Sequence, residues 1–242
     1  MCPNNGNQHG VQEGPFTLIE VTILLAVLAV MIGLTVPASI KIITAQKMNS
    51  TKREMENIFG SIMGNPDRNN YGFVGDMGRL PDSLSELVRA EGNVLYSTQT
   101  AYQVGMGWNG PYTMKSIDDI ITDGFGRPYR FNPNDEGRLV SAGADGQFGT
   151  GDDVAYPPTA YRPYGAVRIE LTASAEYHVR LYYSENGREQ YVQADEAPFL
   201  FENIPVGPHA VEVLLASDDG ADPVAEALIV LTGRSGVFNI TF

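Results

Sequence analysis

The chain has 242 residues, 43% of them hydrophobic, with 16 Lys and Arg against 29 Asp and Glu and a formal net charge of -13. That composition suits one large or two modest folded domains rather than disorder, and the charge argues against a nucleic acid or anionic lipid surface held by bulk electrostatics. Cys2 is the only cysteine, so no intrachain disulfide can form and stability must come from a core or a metal.

In chain order, residues 1–15 come first and precede an apolar run. From Phe16 to Ile40 the only charge is Glu20, and Val21 to Ile40 is uncharged throughout. That is about the ~20 residues that cross the hydrocarbon as a helix, so a membrane segment is expected at about 16–40. Helical pattern continues to Met63, with Met48, Met55, Ile58, Phe59 and Ile62 on one stripe. The predicted helix therefore covers 16–63, and glycines and Pro66 end it. Burying Glu20 in hydrocarbon costs at least ~2.5 kcal/mol unless a partner charge meets it. A free α-amino group at Phe16, made by cutting the chain just before it, would lie one turn away and could neutralise this carboxylate or a neighbour's. Pro37, with Gly33, gives the helix a reason to bend.

"FTLIEV", followed by an unbroken apolar helix and by Pro37, resembles the N-terminal signature of type IV pilins and type II secretion pseudopilins. The resemblance implies that residues 1–15 are a leader, and a prepilin peptidase that removes it and methylates the new terminus, with Gly14, Pro15 and Phe16 as the processing positions. Pro15 departs from the family pattern, in which Gly directly precedes the terminal Phe. Subunit assembly would then run through Glu20 and Pro37. The implied location is a bacterial inner membrane, crossed once, with the head in the periplasm or displayed on a filament. The implied partners are copies of the chain and other pilin-like subunits, the inner membrane, the assembly ATPase and the platform proteins of the machine.

Residues 64–156 are expected to form a head. Within "YGFVGDMGRLPDSLSELVRAEGN" a short helix is predicted, capped by Asp82 or Ser83, with Glu86 closing a capping box on Ser83 and Leu84, Leu87 and Val88 as its apolar face. Short strands and turns follow, anchored by Trp108, Tyr112, Phe125 and Tyr129. "SAGADGQFGTGDDV" then places Asp152 and Asp153 seven and eight residues after Asp145, among Gly143, Gly146, Gly149 and Gly151. Calcium takes six to eight hard oxygens from carboxylates and carbonyls in a flexible cage, and an Asp- and Gly-rich solvated turn is the other reading of the same residues. The loop resembles the calcium loop of the major pseudopilins, which implies Asp145, Asp152 and Asp153 as ligands of a structural calcium ion.

"AYPPTAYRPYG" marks a stiff linker at 157–165. From residue 166 to 242 apolar and polar residues alternate in seven short runs separated by turn signals, which predicts an antiparallel β-sandwich. "FLFENIPVGPHAVEVLL" resembles the transthyretin-like, carboxypeptidase-regulatory family of small sandwiches, which implies a binding or decorating module. The expected fold class is α+β: a long N-terminal hydrophobic helix packed on a small antiparallel sheet, followed by a separate all-β sandwich domain.

No nucleophile elbow, metal-protease spacing, P-loop or dinucleotide fingerprint appears, and the histidines are only His9, His178 and His209. The chain is not expected to be an enzyme. The expected function is a structural subunit of a type IV pilus-like or type II secretion pseudopilus filament with a calcium-stabilised head. The alternative is a non-polymerising, membrane-anchored binding protein whose sandwich recognises a polysaccharide or a protein.

Overall fold

The computed structural model describes residues 17–133, 137–172, 175–217 and 222–242, and the side chains of 34–38 lie outside the description. The chain forms two compact units, 1–46 and 47–242. In the first, helix α1 (Leu18–Met63) begins, and its apolar side chains from Leu18 to Ile32 are exposed, Leu18 to 84% and Val30 to 63%.

In the second unit the same helix changes character. Thr51, Met55, Ile58 and Ile62 are buried, a spacing of three and four residues that lines one face. Thr51 also fixes a crossing point, since its Oγ1 donates to Lys47 O and accepts from Gly124 N, both at 3.0 Å. Short helices α2 (Gly72–Met77) and α3 (Ile117–Ile121) follow, then an antiparallel sheet of β1 (Arg130–Asn132), β2 (Arg138–Ser141) and β3 (Val154–Tyr156).

Seven further strands make two sheets. β4 (Tyr164–Leu171) lies between β7 (Phe199–Pro205) and β10 (Ser235–Ile240) in one. The other has the order β6 (Arg188–Ala194), β5 (Tyr177–Glu185), β8 (Gly207–Leu215), β9 (Ala225–Leu231). β10 runs parallel to β4, where an antiparallel arrangement is expected from the sequence. β10 follows β9, a strand of the other sheet, so no hairpin dictates its direction.

β8 shows how these parts join. Alternating strands of a free sandwich bury one face, yet Ala210, Val211, Glu212, Val213 and Leu214 are all buried. Val211 and Val213 belong to a core that also holds Val167, Phe201 and Leu181 from the sandwich and Ile62, Phe73 and Met77 from the helical part. On the opposite face Ala210 packs with Val104 and Met106, flanked by Tyr102 and Tyr182. α2 packs on β5 and β8. Ser184 Oγ donates to Asp76 O at 2.8 Å, and Gly187 N to Met77 O at 3.0 Å. Gly78 is obligatory here, because its φ is +72° and any Cβ would collide with Ser184 O.

The expected fold class is therefore corrected. The sandwich is not a separate domain: it shares one apolar core with the helix end and the preceding segments, and the described residues form ten strands in three sheets. The transmembrane segment and the single-pass inner-membrane location are corrected as well. Among the described residues no helix is long and apolar enough to cross a membrane.

The helix expected after Ser83 is a single 3-10 turn, Leu84–Leu87, and Ser83 makes no side-chain cap. Glu86 is drawn elsewhere. Its Oε1 accepts from Asp82 N at 3.0 Å, while Oε2 accepts from Arg79 and from Asn93 Nδ2, each at 2.9 Å. Arg79 in turn lies over the Phe73 ring and donates to Leu80 O. Because Glu86 and Arg79 are largely buried, removing Glu86 leaves Arg79 only the exposed Asp82 carboxylate at 3.4 Å, and breaking a buried pair costs about 3–5 kcal/mol. Glu86→Ala is expected to lose that much in denaturant unfolding, whereas a loss under 1 kcal/mol would mean that the pair behaves as a surface contact.

Candidate functional site

The first candidate is the start of α1. Thr17 and Glu20 form a reciprocal cap: Glu20 Oε2 accepts from Thr17 N at 2.9 Å and from Thr17 Oγ1 at 3.0 Å, and Glu20 N donates back to Thr17 Oγ1 at 3.4 Å. This is the Thr-x-x-Glu capping box, legible in "TLIE" and overlooked when the glutamate is treated only as a buried charge. The lone carboxylate thus has a local reason to be there. Gly14, Pro15 and Phe16 lie outside the described residues, as does the side chain of Pro37.

The second candidate is the acidic loop between β2 and β3. Asp152 closes it, with Oδ2 accepting from Ala144 N at 2.7 Å and Asp145 N at 3.0 Å, and Oδ1 accepting from Thr150 Oγ1 at 2.7 Å. The Thr150 hydroxyl, then the Asp145 and Ala144 N–H groups, hold the Asp152 carboxyl below the usual range. Gly143, at φ +60°, lets the backbone pass against Asp152, where a Cβ would strike the Asp152 carbonyl. Asp145 Oδ1 accepts from Gln147 N, and Asp153 Oδ2 from Gly149 N. Arg127 takes the Gly143 carbonyl at 2.7 Å.

Calcium suits this donor set in chemistry. Asp153 Oδ1 is buried with no hydrogen-bond partner, the condition of an oxygen that lacks a ligand. The carboxylates do not converge, however: among the described residues no three His, Cys, Asp or Glu side chains form a group that could hold a metal. Each aspartate is bent toward a nearby backbone N–H instead.

The third candidate has no counterpart in the sequence reading. A cleft of about 880 Å³ opens between the end of α1, the segment 96–112 and the β8–β9 edge. Asp76, at the end of α2, sits in its wall, and Tyr112 Oη donates to Asp76 Oδ2 at 2.9 Å while accepting from Asn109 N at 2.9 Å. Burial pushes the Asp76 carboxyl up to about 6, against the opposing effect of the Tyr112 bond. The Tyr112 phenol is raised in turn, by burial first and the Asp76 charge second. His209 borders the same space but is buried, with Nε2 donating to Pro205 O at 2.8 Å, and desolvation lowers it to about 4. It is neutral at ordinary pH. Nothing local in "VGDMG" announces Asp76; only the docking of α2 on β5 and β8 desolvates it.

No protein-family model matches this chain, and no curated protein matches it.

The raised Asp76 group has a defined sign. The folded state holds its proton to about pH 6 while the unfolded chain releases it near 3.8, so this group's contribution to stability falls as pH rises from about 4 to 6. Asp76→Asn keeps an acceptor for Tyr112 and removes the ionisation. It is expected to raise unfolding stability at neutral pH by roughly 1–3 kcal/mol and to change nothing below about pH 4; equal stability of the two proteins at both pH values would refute the shift.

Proposed function

We propose that this chain is a structural subunit of a pilin-like filament, assembled through the start of α1 with copies of itself. The observation that supports this reading is the uncovered apolar helix. From Leu18 to Ile32 the large hydrophobic side chains are exposed on every side of α1, and a helix apolar all round is stable only when other apolar surface surrounds it. Packing the same segments from several copies side by side satisfies that demand. Glu20 then carries its charge into the bundle, where an α-amino group of a neighbouring chain is the natural partner.

The acidic loop contributes order to the subunit in this reading. A calcium ion would take the unpartnered Asp153 Oδ1 together with Asp152 and Asp145, the last turning away from Gln147 N. Drawing the three carboxylates together sets them in mutual repulsion until a cation joins them, so ion binding and loop ordering are coupled.

Two measurements test this. Leu24→Asp with Leu28→Asp is expected to leave the full chain monomeric in sedimentation while the original protein forms multimers, and multimers in the variant would refute assembly through this face. Glu20→Gln separates the two roles of the glutamate, because glutamine retains the capping box but not the charge: weaker assembly with unchanged helicity supports charge pairing, and unaltered assembly removes it. For the loop, free calcium at about a hundred times its dissociation constant should stabilise the fold by about 2.7 kcal/mol. Identical melting curves in calcium and in EGTA would rule the ion out.

A further inference from the structure

The cleft beside Asp76 has a lining that fits one class of ligand. The side-chain amides of Asn57, Asn69, Gln103 and Asn109 border it, and among the described residues none of them is engaged in a hydrogen bond within the chain. Each amide offers both a donor and an acceptor. Asp76 uses Oδ2 for Tyr112, and its Oδ1 is likewise not engaged among the described residues. Tyr96 adds a ring that is 40% exposed. Among the described residues Glu56 and Asp76 are the carboxylates of the wall and Arg68 its only strong cation, so an anionic ligand meets net repulsion from the wall and from a chain of charge -13.

Sugar hydroxyls, like amides, donate and accept together, and a pyranose presents a C–H face that covers an aromatic ring. A charged ligand would leave the amides' donor and acceptor capacity half used, and a purely apolar one would desolvate all four without compensation. We propose that this cleft binds a neutral oligosaccharide, its hydroxyls held by Asp76 and by the amides of Asn57, Asn69, Gln103 and Asn109, with one sugar ring laid on Tyr96. The site is built by the junction of the helical part with the sandwich, because Asp76 comes from α2, Asn57 from α1, and the opposite rim from β8 and β9.

The test is calorimetric titration of the full chain with cellohexaose, chitohexaose and maltohexaose. Saturable binding of at least one is expected, weakened about tenfold or more by Tyr96→Ala and by Asn57→Ala, with melting temperature recorded for each variant. Tyr96→Phe keeps the ring and is expected to keep the binding. Tyr191→Ala, on the exposed face of β6 away from the cleft, is expected to leave it unchanged. Failure of all three sugars to bind overturns the proposal, as does binding that survives both alanine variants or binding that Tyr191→Ala abolishes.

Discussion

The constraint on which the rest of the structure depends is that β8 has no free face. A seven-stranded sandwich of this size would ordinarily leave the outer side of each sheet to water. Here the segment carrying Val104 and Met106 covers that side of β8 at Ala210, while Val211 and Val213 face the core that the sandwich shares with α2. Burial on both sides removes apolar area from water twice over for one strand, at roughly 25 cal/mol per Å². It also commits the sandwich to the segments before it. Ser184 Oγ donates to Asp76 O and Gly187 N to Met77 O, while Gly78 lies against the Ser184 carbonyl, contacts that leave little freedom for sliding.

Two chemical features of the second unit, Asp76 and the cleft beside it, follow from that junction. Asp76 is desolvated because α2 is pressed onto β5 and β8, and its elevated pKa is a consequence of packing rather than of a neighbouring charge. The cleft exists because the segment 96–112 arches from Leu95 and Trp108 over to the β8–β9 edge. The acidic loop is independent of this arrangement. It hangs from β2 and β3, held by the Asp123 carboxylate through Ser141 and by Arg127 through Gly143.

Local patterns carried the elements and failed at their relations. The two-residue alternation in "VRIELTA" or "REQYVQA" marks strands because each side chain's environment is set by the sheet it sits in. The stripe Met55, Ile58, Ile62 is legible for the same reason, at helical period. What escaped is what depends on distant segments. "HAVEVLLA" reads as a half-buried strand, and nothing in it records that the distant segment carrying Val104 and Met106 covers its second face. Glu86 reads as a capping residue, yet Arg79 and Asn93 offer it a stronger, buried set of donors, so the turn stays 3-10. Glu20 reads as an unpaired charge in an apolar run, although Thr17 three residues before it supplies the partners. Of the proposed metal ligands, sequence spacing places all three in one loop, but which way each carboxylate turns is decided by the nearest backbone N–H.

The most direct measurement is the unfolding of the full chain in denaturant, followed at once by the fluorescence of Trp108, the chain's only tryptophan, and by the far-ultraviolet signal of the β-sheets. Trp108 lies in the covering part, with its Nε1 donating to Glu86 O, whereas most strand residues belong to the sandwich. A shared core requires the two signals to change together with a single midpoint. Two separated transitions, with Trp108 exposed while the sheet signal persists, would contradict it and return the sandwich to the status of an independent domain.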